Sequence, residues 1–346
     1  MEMRRVVLFV GLGLACFAVP PAADAENAQP NIVLLFVDDL GWADVHCRPE
    51  RFDTPNIDRF LEDGIVFTDA YAASPTCSPS RASLVTGQHP ARLRIVRHIP
   101  DGEGEWNLFE DDPAQMPSRN WLPLEETTVA EAVKSLGYDT AFVGKWHLGP
   151  EAYFPDKQGF DVTFGVTDRG SPKSYYPPYF GEGHPVYADA AKDEYLTDRI
   201  TQDAVRYLRS RGTERPFFLS LFYYAVHTPH VGRKDLVAKY LARGMEKDEA
   251  HHAAMFEAVD ESVGRIRATL DETGLAENTV LFFLGDQGGP MDNSPLRGGK
   301  PAGVALYEGG ARIPCSVIWP GTTQAGSVCE EPVTTLDILP TILDIA

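Results

Sequence analysis

Four short apolar runs, separated by stretches with helical periodicity, restrict the fold of this chain more than any other feature. The runs cover Ile32 to Val37, Thr140 to Val143, Phe217 to Tyr223 and Val280 to Leu284. Continuous apolar runs of this length are typical of strands buried on both faces. Their alternation with helices predicts an α/β fold with a mostly parallel central sheet and helices on both faces.

Two of the intervening helices have recognisable ends. Thr128 and Glu131 predict a capping box at the start of one helix, and Gly137 predicts its stop. A second helix has apolar residues at helical spacing from Met255 to Leu270 and is expected to end at Gly274. No repeat or low-complexity linker interrupts the pattern, so we expect one domain over residues 26–346.

Polar side chains follow each of the four predicted strands. Asp38 and Asp39 follow the first run, Lys145 and His147 the second, His227 the third, and Asp286 and Gln287 the fourth. Ligands of open α/β sheets bind at the carboxyl ends of the strands, so we expect these side chains to gather at one edge. For any one of them alone, an ordinary polar loop residue would be the simpler interpretation.

The first 25 residues are interpreted as a signal peptide. Arg4 and Arg5 precede the apolar stretch Val6 to Val19, and Ala23-Asp24-Ala25 offers small residues for cleavage. The stretch is shorter than the ~20 residues of a membrane-spanning helix. We therefore expect cleavage, no stable membrane anchor, and a secreted or periplasmic protein, or a lysosomal one in a eukaryote.

The net charge argues against one class of partner. The chain has 31 Lys and Arg against 50 Asp and Glu, a formal charge of −19. Broad binding to nucleic acid requires a cationic surface, so no nucleic-acid partner is expected. A local group of cations can still bind an anion, because distant charges are screened beyond about 8 Å at physiological salt.

The cysteines suggest a disulfide if the protein is exported. Removal of Cys16 with the signal peptide leaves Cys47, Cys77, Cys315 and Cys329. Cys315 and Cys329 are the pair closest in sequence. If Cys77 is modified, three cysteines remain and at least one is unpaired, so the pairing stays open.

The most specific signal is the segment Cys77-Ser78-Pro79-Ser80-Arg81, followed by Thr86-Gly87. It resembles the signature of the type I sulfatases, a Cys-x-Pro-x-Arg core followed by Thr-Gly. Ser78 is expected to cap a helix with Pro79 in its first turn, which puts residue 77 at the positive end of the helix dipole. Arg81 is expected to reach back over residue 77. A buried helix-start cysteine is the alternative.

The resemblance covers nearly the whole chain after residue 25. Further matching segments, in the family order, are Asn31 to Gly41, Thr54 to Asp58, Gly144 to Gly149, Gly285 to Gly288, Leu296 to Lys300 and Glu308 to Pro314. The fold implied is that of the alkaline phosphatase superfamily. The family's small C-terminal antiparallel subdomain is expected to be missing, because the chain stops after the apolar helix Leu336 to Ile345. We expect a fragment or a naturally short member, with apolar surface left uncovered.

The resemblance also implies a mechanism. A maturation enzyme would convert Cys77 to Cα-formylglycine, whose hydrated aldehyde would attack the sulfur of a sulfate ester and displace the alcohol. A base would then collapse the sulfated intermediate to aldehyde and free sulfate. By resemblance, His147 is that base, Arg81 and Lys145 steady the nucleophile and the sulfate oxygens, and Lys300 and His227 bind the ester and protonate the leaving oxygen.

A divalent cation, usually calcium, is implied at Asp38, Asp39, Asp286 and Gln287, with the side chain derived from Cys77 as a further ligand. These hard oxygen donors suit Ca²⁺ or Mg²⁺ better than zinc. Adjacent acids can share an ion only if the strand ends before them, and Gly41 is expected to permit that turn. The alternative is a strand-end turn with solvated carboxylates.

The substrate is less constrained than the chemistry. Trp106 to Trp121 and Ser171 to Phe180 are expected either to border the pocket, where aromatic rings would stack on a sugar or aryl group, or to pack at the surface. His98 matches no motif and is interpreted as a loop or surface histidine. Export favours a carbohydrate sulfate. Two alternatives remain: a phosphate or phosphonate ester hydrolase of the same superfamily, and a truncated protein that binds sulfated ligands without catalysis.

Overall fold

A computed structural model of the protein describes residues 29–46, 51–102, 117–300 and 306–346. An eight-stranded sheet forms its framework, and a second sheet has two strands. The strands are β1 (Asn31–Val37), β2 (Ile65–Phe67), β3 (Ala70–Tyr71), β4 (Asp139–Gly144), β5 (Val162–Phe164), β6 (Phe217–Phe222), β7 (Thr279–Gly285), β8 (Cys315–Ile318), β9 (Ser327–Cys329) and β10 (Val333–Thr334).

The large sheet has the strand order β5-β4-β6-β1-β7-β8-β2-β9. Only β8 runs antiparallel to its neighbours, and every other pair in this sheet is parallel. β1 pairs with β6 on one side and with β7 on the other. The predicted mostly parallel sheet is therefore confirmed, and the ends of its central strands lie side by side.

The helices surround this sheet. They are α1 (Trp42–His46), α2 (Pro55–Asp63), α3 (Cys77–Thr86), α4 (Pro90–Leu93), α5 (Val129–Ser135), α6 (Leu196–Arg209), α7 (Lys234–Ala242), α8 (Lys247–Glu272), α9 (Glu308–Ala311) and α10 (Ile338–Ile345). Single 3₁₀ turns occur at Glu151–Tyr153, Pro155–Lys157, Ala276–Asn278 and Thr335–Asp337. Within the residues described above, no helix is both long enough and apolar enough to span a bilayer.

Two hydrophobic cores cover the two faces of the sheet. Successive side chains of a strand point to opposite faces, so β1 contributes Val33 and Leu35 to one core and Ile32 and Leu34 to the other. α6, α7 and α8 pack on the first face, whereas α3, α5 and α10 pack on the second. The sheet therefore lies between two helical layers. Because both of its faces are apolar, a polar site is expected at the ends of its strands.

Both helices with predicted ends are present. The Thr128 hydroxyl accepts a hydrogen bond from Glu131 N at 3.2 Å, and the Glu131 carboxylate accepts one from Thr128 N at 2.8 Å. Gly137 follows α5 with a φ of 96°, and Gly274 follows α8 with a φ of 70°. Because such φ values favour glycine, these two positions end their helices as predicted.

The apolar surface expected at α10 is partly covered, and one of the cysteine pairings that the sequence left open is absent. Ile338, Ile342 and Ile345 of α10 are buried, because α3 and α5 pack against this helix, whereas Leu339 and Leu343 are only partly buried. Cys315 and Cys329 are free thiols, since β2 lies between their strands. Two strand spacings of about 4.8 Å separate the cysteines further than a disulfide allows. Residues 1–25 and Cys47 lie outside the described residues.

Candidate active site

Buried ion pairs connect the side chains that follow three strands. Asp38, after β1, pairs with Lys145, after β4. Arg81 Nη2 lies 3.4 Å from Asp38 Oδ1 and 3.0 Å from Asp286 Oδ2, and Asp286 follows β7. All of these side chains are fully buried. The expected gathering of strand-end residues is therefore present as a network of hydrogen-bonded charges.

The chain turns sharply at Asp39. This residue has a φ of 61°, so the left-handed turn lies at Asp39 rather than at Gly41, where it was expected. Its N–H donates to Asp286 Oδ1 at 2.9 Å. Its carboxylate oxygens each accept from Lys300 Nζ at 2.6 Å, and His227 Nε2 lies 3.8 Å from Oδ2. Asp39 therefore connects Asp286 to Lys300 and His227.

Cys77 is the first residue of α3 and is buried. Its Sγ accepts from Gln287 Nε2 at 3.3 Å and from Lys300 Nζ at 3.6 Å. The expected cap at Ser78 is wrong, because the helix begins one residue earlier, with Thr76 as its N-cap residue. The Ser78 hydroxyl instead accepts from Ile99 N at 2.9 Å.

Arg81 binds the groups at the strand ends. Its Nη1 donates to the Lys145 carbonyl at 2.8 Å, and its Nη2 bonds to Asp286. The guanidinium carbon lies 5.4 Å from the centre of the Phe36 ring. These contacts hold the acidic residues in place, while the charge of Arg81 also interacts with Cys77. The expected reach of Arg81 over residue 77 stays a prediction.

The pKa values of the two site histidines shift in opposite directions. Burial lowers the pKa of His147. Burial also opposes protonation of His227, but Asp38 and Asp39 outweigh it and raise the pKa of that imidazole. Both rings interact with the side chain of Cys77. Of two imidazoles beside one residue, the one whose pKa is lowered is suited to act as a base and the one whose pKa is raised is suited to act as an acid.

Cations also control the ionisation of Cys77. Burial alone would raise the pKa of its thiol, but Lys145 and Lys300 outweigh burial and hold that pKa well below its ordinary value. Negative charge is therefore favoured at residue 77. The same environment would favour an anion bound there.

The donor set fits a hard divalent cation. Asp38 Oδ1 and Gln287 Oε1 are buried and make no hydrogen bond. Ligand atoms of Asp38, Cys77 and Asp286 lie within 4.8 Å of one another. Burial raises the pKa of Asp39, and raises that of Asp286 well above its ordinary value. A cation beside these carboxylates would favour their ionised forms and supply a partner for the two oxygen atoms.

An open cleft of about 920 Å³, including its mouth, leads to this cluster. Cys77, His147, His227 and Lys300 line its bottom. Together with the buried residues beneath them they form the floor of the cleft, which comprises Asp38, Asp39, Cys77, Arg81, Lys145, His147, His227, Asp286, Gln287 and Lys300. Its rim comprises His98, Ile99, Asp101, Gly170 and Ser171, which line the cleft above residue 77. Sequence reasoning included Ser171 but missed the other rim residues, since no motif marks them. His98 is exposed, as expected, yet it borders the cleft.

The segment Ser171 to Phe180, for which both a place at the pocket and packing at the surface were open, borders the cleft through Ser171 and packs its aromatic rings into the core. Tyr175, Tyr179 and Phe180 are buried. The Tyr175 hydroxyl donates to the carbonyl oxygens of Tyr224 and His227, at 2.6 and 2.8 Å. Tyr175 therefore supports the loop that carries His227, and none of the three rings lines the cleft. Residues 106–116 of the other predicted segment lie outside the described residues.

Comparisons with known proteins identify the family of this chain. The model of the family named Sulfatase matches residues 30–346. N-acetylgalactosamine-6-sulfatase of Mus musculus is 33% identical over 370 residues, which cover 99% of this chain and 66% of that enzyme. Arylsulfatase G of the same organism is 31% identical, with coverages of 98% and 70%. The chain thus spans about two thirds of the length of these curated relatives.

Solved structures show the same fold. The crystal structure of Ps i-CgsB superimposes with a TM-score of 0.77 at 31% identity, covering 92% of this chain and 72% of that one. That protein has also been solved in complex with k-i-k-neocarrahexaose. A phosphonate monoester hydrolase of Agrobacterium radiobacter, at 19% identity and a TM-score of 0.63, shares the fold. From the family match over residues 30–346 and these relatives, we conclude that the chain belongs to the sulfatase family.

Proposed function

We propose that this chain is the catalytic part of an exported, metal-dependent enzyme that hydrolyses sulfate esters of carbohydrates. One observation carries the proposal: Cys77 lies at the bottom of an open cleft, in contact with Lys300 and between histidines with opposite pKa shifts. A nucleophile, an anion-binding cation, a base and an acid are thereby brought to one point. These are the groups that transfer of a sulfuryl group requires.

Each floor residue has a distinct task in this proposal. Conversion of Cys77 to formylglycine would supply a hydrated aldehyde as the nucleophile. Lys300 extends into the cleft and binds an ester oxygen, while protonated His227 gives a proton to the leaving oxygen. Neutral His147 accepts a proton from residue 77. Lys145 and Arg81 hold the acidic side chains in place, as their buried contacts with Asp38 support.

Asp38, Asp39, Asp286 and Gln287 would hold the cation, which we propose to be Ca²⁺, with Mg²⁺ as a possible substitute. When bound, it would supply positive charge that stabilises negative charge on the sulfuryl group. Gln287 makes the most specific contribution. Its Nε2 now donates to Asp39 and its Oε1 has no partner, so a turn of the amide would present the oxygen as a ligand.

The proposed substrate class is a sulfated sugar. N-acetylgalactosamine-6-sulfatase is named for a sulfated sugar, and Ps i-CgsB was crystallised with an oligosaccharide. A cleft of about 920 Å³ has room for a sugar ring. Its exposed rim residue His98 offers a hydrogen bond to a sugar hydroxyl group.

Export accompanies this proposal. Residues 1–25 have the order of a basic start, an apolar stretch and small residues that is typical of a signal peptide. The mature protein would then meet extracellular or luminal sulfated polymers. Sequencing of the mature N-terminus would test this, and an N-terminus still at Met1 after secretion would contradict cleavage.

The experiment that tests the function combines mass and activity. The protein is produced in a host with a formylglycine-generating enzyme, and the tryptic peptide that ends at Arg81 is analysed by mass spectrometry. The same sample is assayed on matched aryl sulfate and aryl phosphate reporters. An aldehyde at residue 77 with preferred sulfate turnover is expected. Preferred phosphate turnover would favour the phosphate or phosphonate hydrolase, and an aldehyde without either activity would support a binding protein.

A further inference from the structure

His147 is held by a backbone carbonyl on one side of its ring. Its Nε2 lies 2.7 Å from the carbonyl oxygen of Ile99. A carbonyl only accepts hydrogen bonds, so the proton of the neutral imidazole must be on Nε2. Nδ1 is then the unprotonated nitrogen. It is buried without a hydrogen-bond partner, and the ring interacts with Cys77.

A second backbone segment closes on the same ring. A Cβ atom added to Gly170 would lie 2.4 Å from His147 Cε1 and 2.5 Å from Nε2. The glycine backbone is therefore packed directly on the imidazole, with no room for a side chain. His147 itself has a φ of 57°, a conformation that non-glycine residues adopt only when their surroundings enforce it.

Asp101 joins the two segments that hold this ring. Its Oδ1 accepts from Gly170 N at 3.0 Å, and its Oδ2 accepts from Arg169 Nη1 at 3.1 Å. Asp101 also lies two residues after Ile99, whose N–H is bonded to Ser78. One carboxylate thus connects the loop that supplies the carbonyl to the loop that packs on the ring.

We propose that Asp101 is a positioning residue for His147. By holding the Ile99 and Gly170 segments together, it keeps the imidazole in the Nε2–H form with Nδ1 directed at residue 77. It has no need to touch the substrate. The inference deepens the proposed function, because it rests on His147 accepting a proton from residue 77.

Two substitutions separate the parts of this contact. Asp101→Ala removes both hydrogen bonds, whereas Asp101→Asn keeps a carbonyl oxygen for Gly170 N and loses the ion pair with Arg169. Asp156→Ala is the matched control, since its side chain is 43% exposed against 47% for Asp101 and also forms one surface ion pair. We expect Asp101→Ala to lower kcat on a small aryl sulfate about 10- to 100-fold, because small misplacements of a catalytic group have effects of this order. KM should stay within about twofold, and Asp101→Asn should retain most of kcat.

A second measurement does not depend on turnover. ¹⁵N NMR of histidine-labelled protein with unmodified Cys77 reports the tautomer of each imidazole, and His147→Gln identifies the His147 signals. The wild type and the Asp156→Ala control should show the Nε2–H form of His147, and Asp101→Ala should show a mixture of tautomers. An unchanged tautomer, or a rise in KM at constant kcat, would overturn the inference. Absence of sulfate turnover in the wild type would count against the proposed function instead, and the NMR comparison would still decide the role of Asp101.

Discussion

The floor and the rim of the cleft are built from different kinds of interaction. On the floor, Asp38, Arg81 and Lys145 are fully buried and bonded to one another. Removal of one partner there leaves an uncompensated buried charge, which costs several kcal/mol. On the rim, His98 and Asp101 are exposed, and such contacts contribute about 1 kcal/mol or less. The floor therefore tolerates few changes and suits the common chemistry, whereas a rim side chain that makes no contact with His147, such as that of His98, can vary and suits the choice of substrate.

The largest expected effect is on the floor, at the proposed nucleophile. Cys77→Ala should lower turnover of an aryl sulfate by about 10⁴-fold or more, as loss of a covalent nucleophile does in other hydrolases. The melting temperature should change little, because few atoms are removed at a helix start. Cys315→Ala is the control, since that cysteine is also buried and free. Full activity of Cys77→Ala would exclude formylglycine from the mechanism.

This floor could be predicted largely from the sequence. The residues after β1, β4 and β7 gather because adjacent parallel strands end at the same edge. Each of these strands is recognisable as an apolar run, and its polar residues follow it directly in the sequence. The capping box of Thr128 and Glu131 was predictable for a similar reason, because its partners are three residues apart. Short-range patterns of side chains are visible in a sequence.

The rim could not be predicted in this way. His147 is held by the carbonyl of Ile99 and the backbone of Gly170, and these main-chain groups give no residue-type signal. The contact of Asp101 with Gly170 joins residues 69 positions apart in two irregular loops. The turn at Asp39 was misplaced for a related reason: its left-handed backbone is imposed by tertiary contacts, whereas glycine was the local indicator.

The metal should have the next largest effect. Asp38→Asn should weaken Ca²⁺ binding about 100-fold, because it removes a charged oxygen ligand. Calorimetry would measure this, with Asp203→Asn as a control at a buried aspartate of another ion pair. Chelation should lower activity, and Ca²⁺ or Mg²⁺ should restore it better than Zn²⁺. An unchanged affinity in Asp38→Asn would place the metal elsewhere.

The pH profile should show the opposite pKa shifts of the two floor histidines. The pKa of His147 is lowered by burial, so activity should fall towards acid only below the ordinary value of about 6.5. The pKa of His227 is raised by Asp38 and Asp39 against burial, so activity should fall towards base only above that value. On the acid side and on the alkaline side of the profile, activity should fall about tenfold per pH unit. A single limb centred near pH 6.5 would contradict these roles.

The smallest expected effect is on the rim, at His98. The adjacent Ile99 is anchored through its N–H to Ser78 and through its carbonyl to His147, so the backbone beside His98 is fixed while the imidazole remains exposed in the cleft. It can therefore donate one hydrogen bond to a sugar hydroxyl without taking part in the chemistry.

His98→Ala should raise KM about 3- to 10-fold for a sulfated oligosaccharide that the wild type hydrolyses, because this is the loss of affinity expected when a single hydrogen bond is removed. For a small aryl sulfate, KM should stay unchanged, and kcat should stay unchanged for both substrates. His89→Ala, at an exposed histidine that does not line the cleft, serves as the control. An equal loss of kcat on both substrates would show that this part of the rim acts in the chemistry, and the division between floor and rim would then fail at His98.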